Sequence, residues 1–427
     1  METQLSPSRR LLPQGVSDLI FEAAAERRAL EAALRDLFIR WGYSEIIPPT
    51  FAYADTLSTQ AGPEIEAEMY RFLDRDGSTL ALRPDLTIPT ARAVGTRLAD
   101  QPMPLRLCYT GSVFRYGQPR AGQGREFAQA GMELIGAATA DADAELLALT
   151  IEALRTAGLE AFQITLGQMA YFHGLLAELQ PLNVSDEDIM ALRLAVDRKS
   201  EPELRDLLAR LPLPTAIREA LTTLPALSGR RGVLDRAEAV ALNDTMQAAV
   251  ENLRMVEQLL HAYHVTEHIS LDLTEVRGMD YYTGITFEGH APGSGYAICS
   301  GWRYDNLIGH FGADLPAVGC ALVIDRILLV RERQGRQPTM PTPHIIVNVG
   351  DCSTCLEWVQ IARSLGVRVE VDVLKRDTPD LLAYAQARGI PRIAVHSDDG
   401  TLHLVDEAGE RPLTVETWAQ EAARWIR

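Results

Sequence analysis

Between Leu107 and Gly136 the sequence collects Arg115, Arg125, Glu126, Gln129 and Glu133 in a segment that reads strand, loop, strand. Tyr109 to Arg115 is short and half-apolar, Gln118 to Gly124 carries a Pro and two Gly, and Glu126 to Ile135 is again extended. Gln129, Gly131 and Glu133 alternate toward one face of the second strand. A hairpin that presents Arg, Gln and Glu side by side can hold a small molecule bearing both an anionic and a cationic group. A solvated antiparallel hairpin is the other reading of the same residues. Asp85, in Arg83-Pro84-Asp85-Leu86-Thr87, stands at the start of a helix expected over Ile88 to Leu98. It either caps that helix or turns its carboxylate into a pocket to receive an ammonium group. A third group, Arg277, Asp280, Tyr281 and Tyr282, sits beside two Gly and leads to Ser300-Gly301-Trp302-Arg303-Tyr304-Asp305. Glycine there lets backbone and ligand approach closely, although adjacent tyrosines also occur as one buried and one exposed strand residue.

Other chemistries have less support. Five cysteines do not make a disulfide framework, and the Cys352/Cys355 pair has no second pair and no nearby His, so chance spacing is favoured over a metal or redox site. No metal and no cofactor is expected. The formal charge of −17 gives no sign of a nucleic-acid surface. No run approaches eighteen apolar residues, and the N-terminus lacks a continuous apolar stretch, so a cytoplasmic protein without a membrane span is expected.

The elements that must position these residues are legible in outline. A helix over Leu19 to Trp41, capped by Ser17 or Asp18, places Leu30, Leu34, Leu37 and Phe38 at helical spacing and stops at Gly42. Tyr43 to Ile47 reads as an edge strand before Pro48-Pro49. Met69 to Leu73 and Thr79 to Leu82 flank an Asp-Gly turn. A helix over Asp141 to Gly158 and a strand over Phe162 to Leu166 follow the central hairpin. Tyr171 to Val265 reads as short helices broken by prolines, and strand pattern resumes at Ile269 to Leu273. Cys320 to Val330 reads as an apolar helix containing Asp325-Arg326. Arg331 to Pro343 is charged, then Pro-rich, and reads as a linker. Beyond it, strands Ile345 to Val349, Val367 to Val373 and Ile393 to His396 alternate with helices Leu356 to Leu365 and Leu381 to Arg388, as in a small domain with a parallel sheet. That last domain has 9 Lys and Arg against 13 Asp and Glu from Pro341 onward, which does not suit a phosphate grip.

The motifs together resemble class II histidyl-tRNA synthetases over nearly the whole chain. They are GYSEIIPP, LRPDLT, the hairpin ending REFAQAGMELIG, VRGMDYYTG, GWRYDN and VGCALVIDR. The resemblance implies an α+β core, a mostly antiparallel six- or seven-stranded sheet flanked by helices and dimerised through the first motif. The implied plan is core over 1–170, helical insertion over 171–265, core again over 266–330, linker over 331–343, and an anticodon-binding-like α/β domain over 344–427. Asp85, Thr87, Gln129, Glu133, Arg277, Tyr281 and Tyr282 match or adjoin the positions with which the family holds histidine. Carboxylates for the ammonium, an arginine for the carboxylate and a tyrosine for the imidazole make a complete histidine receptor.

The nucleotide side departs from the family. Gly117 replaces the Glu expected at ATP, Gln118 the Arg that follows it, and Gln123 a phosphate-contacting loop Arg. Each charge-assisted contact contributes on the order of 1.5–3 kcal/mol, so losing two weakens ATP binding about a hundredfold or more. Val323 stands where the third motif has a small Gly, and Trp302 replaces a Gly before the Arg-Tyr-Asp run. Arg115, Phe127 and Arg326 remain as a vestigial ATP site. Histidine binding kept and activation eroded resembles the synthetase-like regulatory subunits of ATP phosphoribosyltransferase. That resemblance implies a non-catalytic homodimer inside a hetero-oligomer with a short catalytic subunit. Histidine would be its feedback effector, and tRNA would not be a partner. A divergent histidyl-tRNA synthetase is the alternative.

Overall fold

The structure, a computed structural model, describes residues 11–118, 124–230, 232–274, 282–336, 340–350, 355–397 and 401–425. Two compact units divide the chain, Met1–Pro338 and Thr339–Arg427.

The first unit opens with α1 (Phe21–Arg40), which buries Leu30, Leu34, Leu37 and Phe38 as their spacing requires. Neither Ser17 nor Asp18 caps it: Ile20 takes the N-cap position without a side-chain bond. Gly42 ends the helix with a φ of +83°, which only glycine adopts freely. Then come β1 (Ser44–Glu45), β2 (Phe51–Tyr53), α2 (Ala54–Ser58), α3 (Gly62–Glu68), β3 (Arg71–Leu73) and β4 (Thr79–Leu82). β2, β4 and β3 form a small antiparallel sheet, and the Asp-Gly turn closes with Gly77 N–H donating to the Asp74 carbonyl. α4 (Thr87–Ala93) runs into a π turn over Val94–Leu98, so the helix expected from Ile88 begins one residue earlier.

β5 (Leu105–Phe114) and β6 (Glu126–Ile135) pair antiparallel along their whole length and form the central hairpin. α5 (Ala140–Thr156), β7 (Gln163–Gln168) and α6 (Met169–Ala177) follow. The proline-broken span then holds α7 (Asp186–Asp197), α8 (Glu201–Arg210), α9 (Thr215–Thr223), the two-residue β8 (Ser228–Gly229), α10 (Val233–Ala239) and α11 (Asp244–Ala262). These helices do not enclose a core of their own. Leu192, Leu204, Leu221, Leu253 and Leu260 join the same apolar cluster as Leu147 and Leu154 of α5. β9 (Ile269–Asp272), β10 (Ile285–His290), β11 (Cys299–Arg303), β12 (Ala317–Val323) and α12 (Ile324–Arg333) complete the unit.

The large sheet has nine strands in the order β1-β5-β6-β12-β11-β10-β7-β9-β8, of which β1 and β8 are two residues long. Only β1–β5 and β7–β9 pair in parallel. Cys320 to Val323, expected as helix, is the end of β12, and α12 starts at Ile324. A short apolar stretch such as Cys320 to Ile324 is locally compatible with either state, and pairing with β6 on one side and β11 on the other decides it. Arg331 to Arg333, assigned to the linker from sequence, form the last turn of α12, where Arg331 pairs with Glu26 at 3.2 Å.

The period-two alternation of β6 gives its residues two destinations. Ala128, Ala130, Met132 and Leu134 enter the main core with α1 and α5. Phe127, Gln129, Gly131, Glu133 and Ile135 take the opposite face, where Phe127 joins Leu86, Tyr109 and Val113. Fully burying Met132 and Leu134 on the core side contributes about 1.5–3 kcal/mol each, and that burial holds the second face in register.

The second unit contains β13 (Ile345–Asn348), α13 (Cys355–Ser364), β14 (Val369–Val371), α14 (Thr378–Ala387), β15 (Ile393–His396), β16 (Leu402–Asp406), β17 (Gly409–Leu413) and α15 (Val415–Arg424). Its sheet, β14-β13-β15-β16-β17, is parallel only over the first three strands. The sequence reading missed the closing antiparallel hairpin β16–β17. Among the described residues no helix is long and apolar enough to cross a membrane.

Candidate functional site

The site is built on the second face of β5, β6, β12 and β11. Glu133 is fully buried at its centre, and its carboxylate accepts two tyrosine hydroxyls. Tyr109 donates to Oε1 at 2.9 Å and Tyr304 to Oε2 at 2.6 Å. Burial pushes the Glu133 carboxyl up to about 7, against the pull of both tyrosines and Thr87. Thr87 Oγ1 lies 3.3 Å from the Tyr109 hydroxyl, whose own proton is already committed to Glu133, so Thr87 is the donor. Burial and the neighbouring Glu133 together hold Tyr109 well above the usual tyrosine range.

Two glycines make this packing possible. Gly131 stands opposite Tyr109, and a Cβ there would come within 2.5 Å of the ring. Gly319 stands opposite Glu133, and a Cβ there would come within 1.6 Å of Oε2. The sheet has no room for side chains at either place.

Asp85 approaches from the loop before α4. Its Oδ1 accepts from the Ile88 backbone N–H at 3.0 Å, so the helix-capping reading is correct as far as it goes. Burial raises its carboxyl above the ordinary range, while the Ile88 N–H and the Arg115 charge oppose that rise. Arg83 fixes the loop: its guanidinium donates to the Ser112 carbonyl at 2.8 Å and the Pro48 carbonyl at 2.7 Å and fills the space above Gly111. Gln129, opposite Gly111, is buried with its Oε1 unpartnered. A buried orphan acceptor is uncommon in native proteins and invites a donor from outside.

Asp85, Thr87, Gln129 and Glu133 therefore gather around β5 and β6. Tyr282 is half-buried and stacks on Trp302, ring centroids 5.1 Å apart. Arg277 and Tyr281 lie outside the described residues, as do Gln123 and Cys352. Tyr109 and Tyr304 were not singled out from sequence. Gly131, midway between Gln129 and Glu133, was the one local signal for Tyr109, since glycine within a strand marks close approach of a neighbour. Nothing local places Tyr304, which is 171 residues from Glu133.

The nucleotide side looks different. Arg115 donates to the Pro84 carbonyl at 2.9 Å and lies 5.6 Å from the centre of the Phe127 ring, itself buried. Arg326 donates to the Ala297 carbonyl and sits 5.4 Å from the Tyr296 ring. Gly117 packs against Glu68 of α3, whose Oε1 would lie 2.9 Å from a Cβ added there. Val323 packs beside Leu86, Tyr109, Val113 and Phe127. Asp325 serves the backbone, accepting from the Ala128 N–H at 2.6 Å.

Residues 15–327 match the family model described as histidyl-tRNA synthetase. An ATP phosphoribosyltransferase regulatory subunit of Syntrophotalea carbinolica is 36% identical over 423 residues, 98% of each chain. The chain belongs to the ATP phosphoribosyltransferase regulatory subunit family. Its core is the class II synthetase fold, with a separate C-terminal sheet domain. A solved ATP phosphoribosyltransferase regulatory subunit/histidyl-tRNA synthetase from Bacillus halodurans C is 30% identical and superposes with a TM-score of 0.78, covering 91% of this chain and 98% of that one. Histidyl-tRNA synthetase from Nostoc has the same TM-score at 21% identity, over 97% and 99% of the two chains, and shows the shared fold alone. Family members thus keep the synthetase architecture, and the carboxyl–tyrosine cluster sits on its central sheet.

Proposed function

We propose that this chain is a regulatory, non-catalytic subunit of ATP phosphoribosyltransferase that binds histidine on the β5–β6 face. The carrying observation is the intact, buried Glu133–Tyr109–Tyr304 cluster, with an unpartnered Gln129 Oε1 on the same face of β6. Asp85, Gln129 and Thr87 receive the ammonium, Glu133 and Tyr282 the imidazole, with Tyr281 adjacent, and Arg277 the carboxylate. Arg115, Phe127 and Arg326 are remnants of a nucleotide site that has lost Glu, Arg and Arg at Gly117, Gln118 and Gln123.

The chemistry belongs to a short catalytic phosphoribosyltransferase chain, which this subunit joins as a homodimer within a cytoplasmic hetero-oligomer. That enzyme performs the first step of histidine biosynthesis. Histidine binds one conformation of the assembly more tightly and biases it toward an inhibited state, with an expected coupling of about 1–3 kcal/mol. The relatives' names support the assembly, and the loss of positive charge from the loop supports silence toward ATP and tRNA.

The test is reconstitution with the short catalytic subunit, assaying activity with and without this chain across histidine concentrations. Activity that needs this chain and falls with histidine is expected. Histidine-dependent exchange of pyrophosphate into ATP by the isolated chain would instead establish the divergent synthetase.

A further inference from the structure

Gln129 Oε1 is not alone. Thr286 Oγ1 and Trp302 Nε1 are also buried without a hydrogen-bond partner. The sheet register puts all three on the face that carries Glu133. Glu133 of β6 stands opposite Gly319 of β12, Gly319 opposite Trp302 of β11, and Trp302 opposite Thr286 of β10. Directly opposed residues share a face, so Glu133, Trp302 and Thr286 form one row across four strands. Gln129 lies four residues before Glu133 on the same side of β6.

The middle of that row is glycine. The Glu133 carboxylate leans over Gly319, so only backbone separates it from the strand that carries Trp302. Trp302 stacks on Tyr282 at an interplanar angle of 25°, which restrains the plane of its indole ring. The row therefore offers a strong acceptor at one end and a bare donor at the other. A third polar atom, Thr286 Oγ1, lies beyond the donor.

We propose that Trp302 and Thr286 are effector-binding residues, the Trp302 indole N–H donating to the acceptor nitrogen of a neutral imidazole whose own N–H faces Glu133. This deepens the histidine reading and rests on it. A neutral imidazole carries one N–H and one bare nitrogen, the complement of a carboxylate and an indole N–H. Both Glu133 oxygens already accept from tyrosines, and each keeps a lone pair for a ring N–H. A side chain lacking the acceptor nitrogen would leave the indole N–H buried and unsatisfied, so the row selects imidazole over rings of similar size. Thr286, opposite Trp302 on β10, adds an unpartnered hydroxyl to the same row.

The test uses the full chain and titration calorimetry with L-histidine and with L-histidinol, which keeps the ring and lacks the carboxylate. Trp302→Phe keeps an aromatic ring against Tyr282 and removes the donor. It should weaken both ligands about tenfold. Thr286→Val removes the hydroxyl at nearly constant shape. It should weaken both ligands in the same direction and leave the ligand-free melting temperature unchanged or higher, because the lost group has no partner to lose. Wild-type affinity in both variants overturns the assignment. So does a loss confined to histidine, which would place the contact on the carboxylate. If Trp302→Phe does not fold, Thr286→Val decides alone. A wild-type chain that binds neither ligand overturns the histidine reading itself, and this assignment with it.

Discussion

Glu133 on β6 and Gly319 on β12 occupy one space: the carboxylate lies where a side chain at 319 would begin, 1.6 Å from an added Cβ. The absence of a side chain on one strand is what admits a charged group on the next.

Gly319→Ala should therefore act at Glu133. The methyl must displace the carboxylate from both tyrosines or push the strands apart, at about 1–3 kcal/mol by the usual cost of overpacking. Chemical denaturation would read that loss, and calorimetry should show histidine affinity falling with it. A variant as stable as the parent would mean that the carboxylate has another resting place.

Glu133 also makes a pH prediction. Its folded-state value of about 7 lies above the ordinary 4.5, so the folded protein holds this proton after the unfolded chain has released it. The contribution to stability is complete below about pH 4.5 and is lost as pH rises toward 7, on the order of a few kcal/mol in all. Glu133→Gln should remove that slope. Urea denaturation of both proteins at intervals from pH 4.5 to 8 would show the parent losing stability relative to the variant as pH rises, and parallel curves would refute it.

Tyr304→Phe deletes the 2.6 Å bond to Oε2, the strongest of the influences that oppose burial at Glu133. The midpoint of the pH-dependent stability change should move above about 7. At neutral pH the loss should be roughly 1.5–3 kcal/mol, the value of a hydrogen bond to a charged group. Tyr109→Phe should do the same to a smaller extent, since its bond is longer and weaker in effect.

Asp143 and Arg303 form a buried ion pair at 2.6 Å, their side chains 2% and 8% exposed, and join α5 to β11. Arg303 also reaches Asp305 at 3.2 Å and the Ala137 carbonyl at 3.0 Å. Asp143→Ala leaves a buried guanidinium short of a partner and should cost about 3–5 kcal/mol. A thermal melt measures the cost. Histidine binding should fall only as the fold is lost, because Arg303 faces the core and its neighbours Trp302 and Tyr304 face the site.

Local pattern carried much of this protein. The gathering of Asp85, Thr87, Gln129 and Glu133 rests on motif resemblance, whereas the helix over Leu30 to Phe38, the Asp-Gly hairpin and the paired strands around Leu107 to Gly136 follow from periodicity and turn residues. Short-range physics decides such features, so the sequence displays them. It misled where two states share one local pattern: Cys320 to Val323 is apolar enough for helix, and only β6 and β11 on its two flanks make it strand. The hairpin β16–β17 was missed because its turn lacks the signal that Asp76-Gly77 supplies.

Tertiary structure alone decided the character of the site. From sequence, Glu133 is one carboxylate in a strand; its neutral-range titration requires burial and two tyrosine hydroxyls, one from β5 and one from beyond β11. Trp302 reads as a departure from a glycine, and only the register across β12 shows that it shares a row with Glu133, where its buried indole N–H lacks a partner. Residue types set what chemistry is available. Which groups meet, and which are left unpaired in the core, depends on how the strands pair, above all on β6 with β12, which lie far apart in the chain.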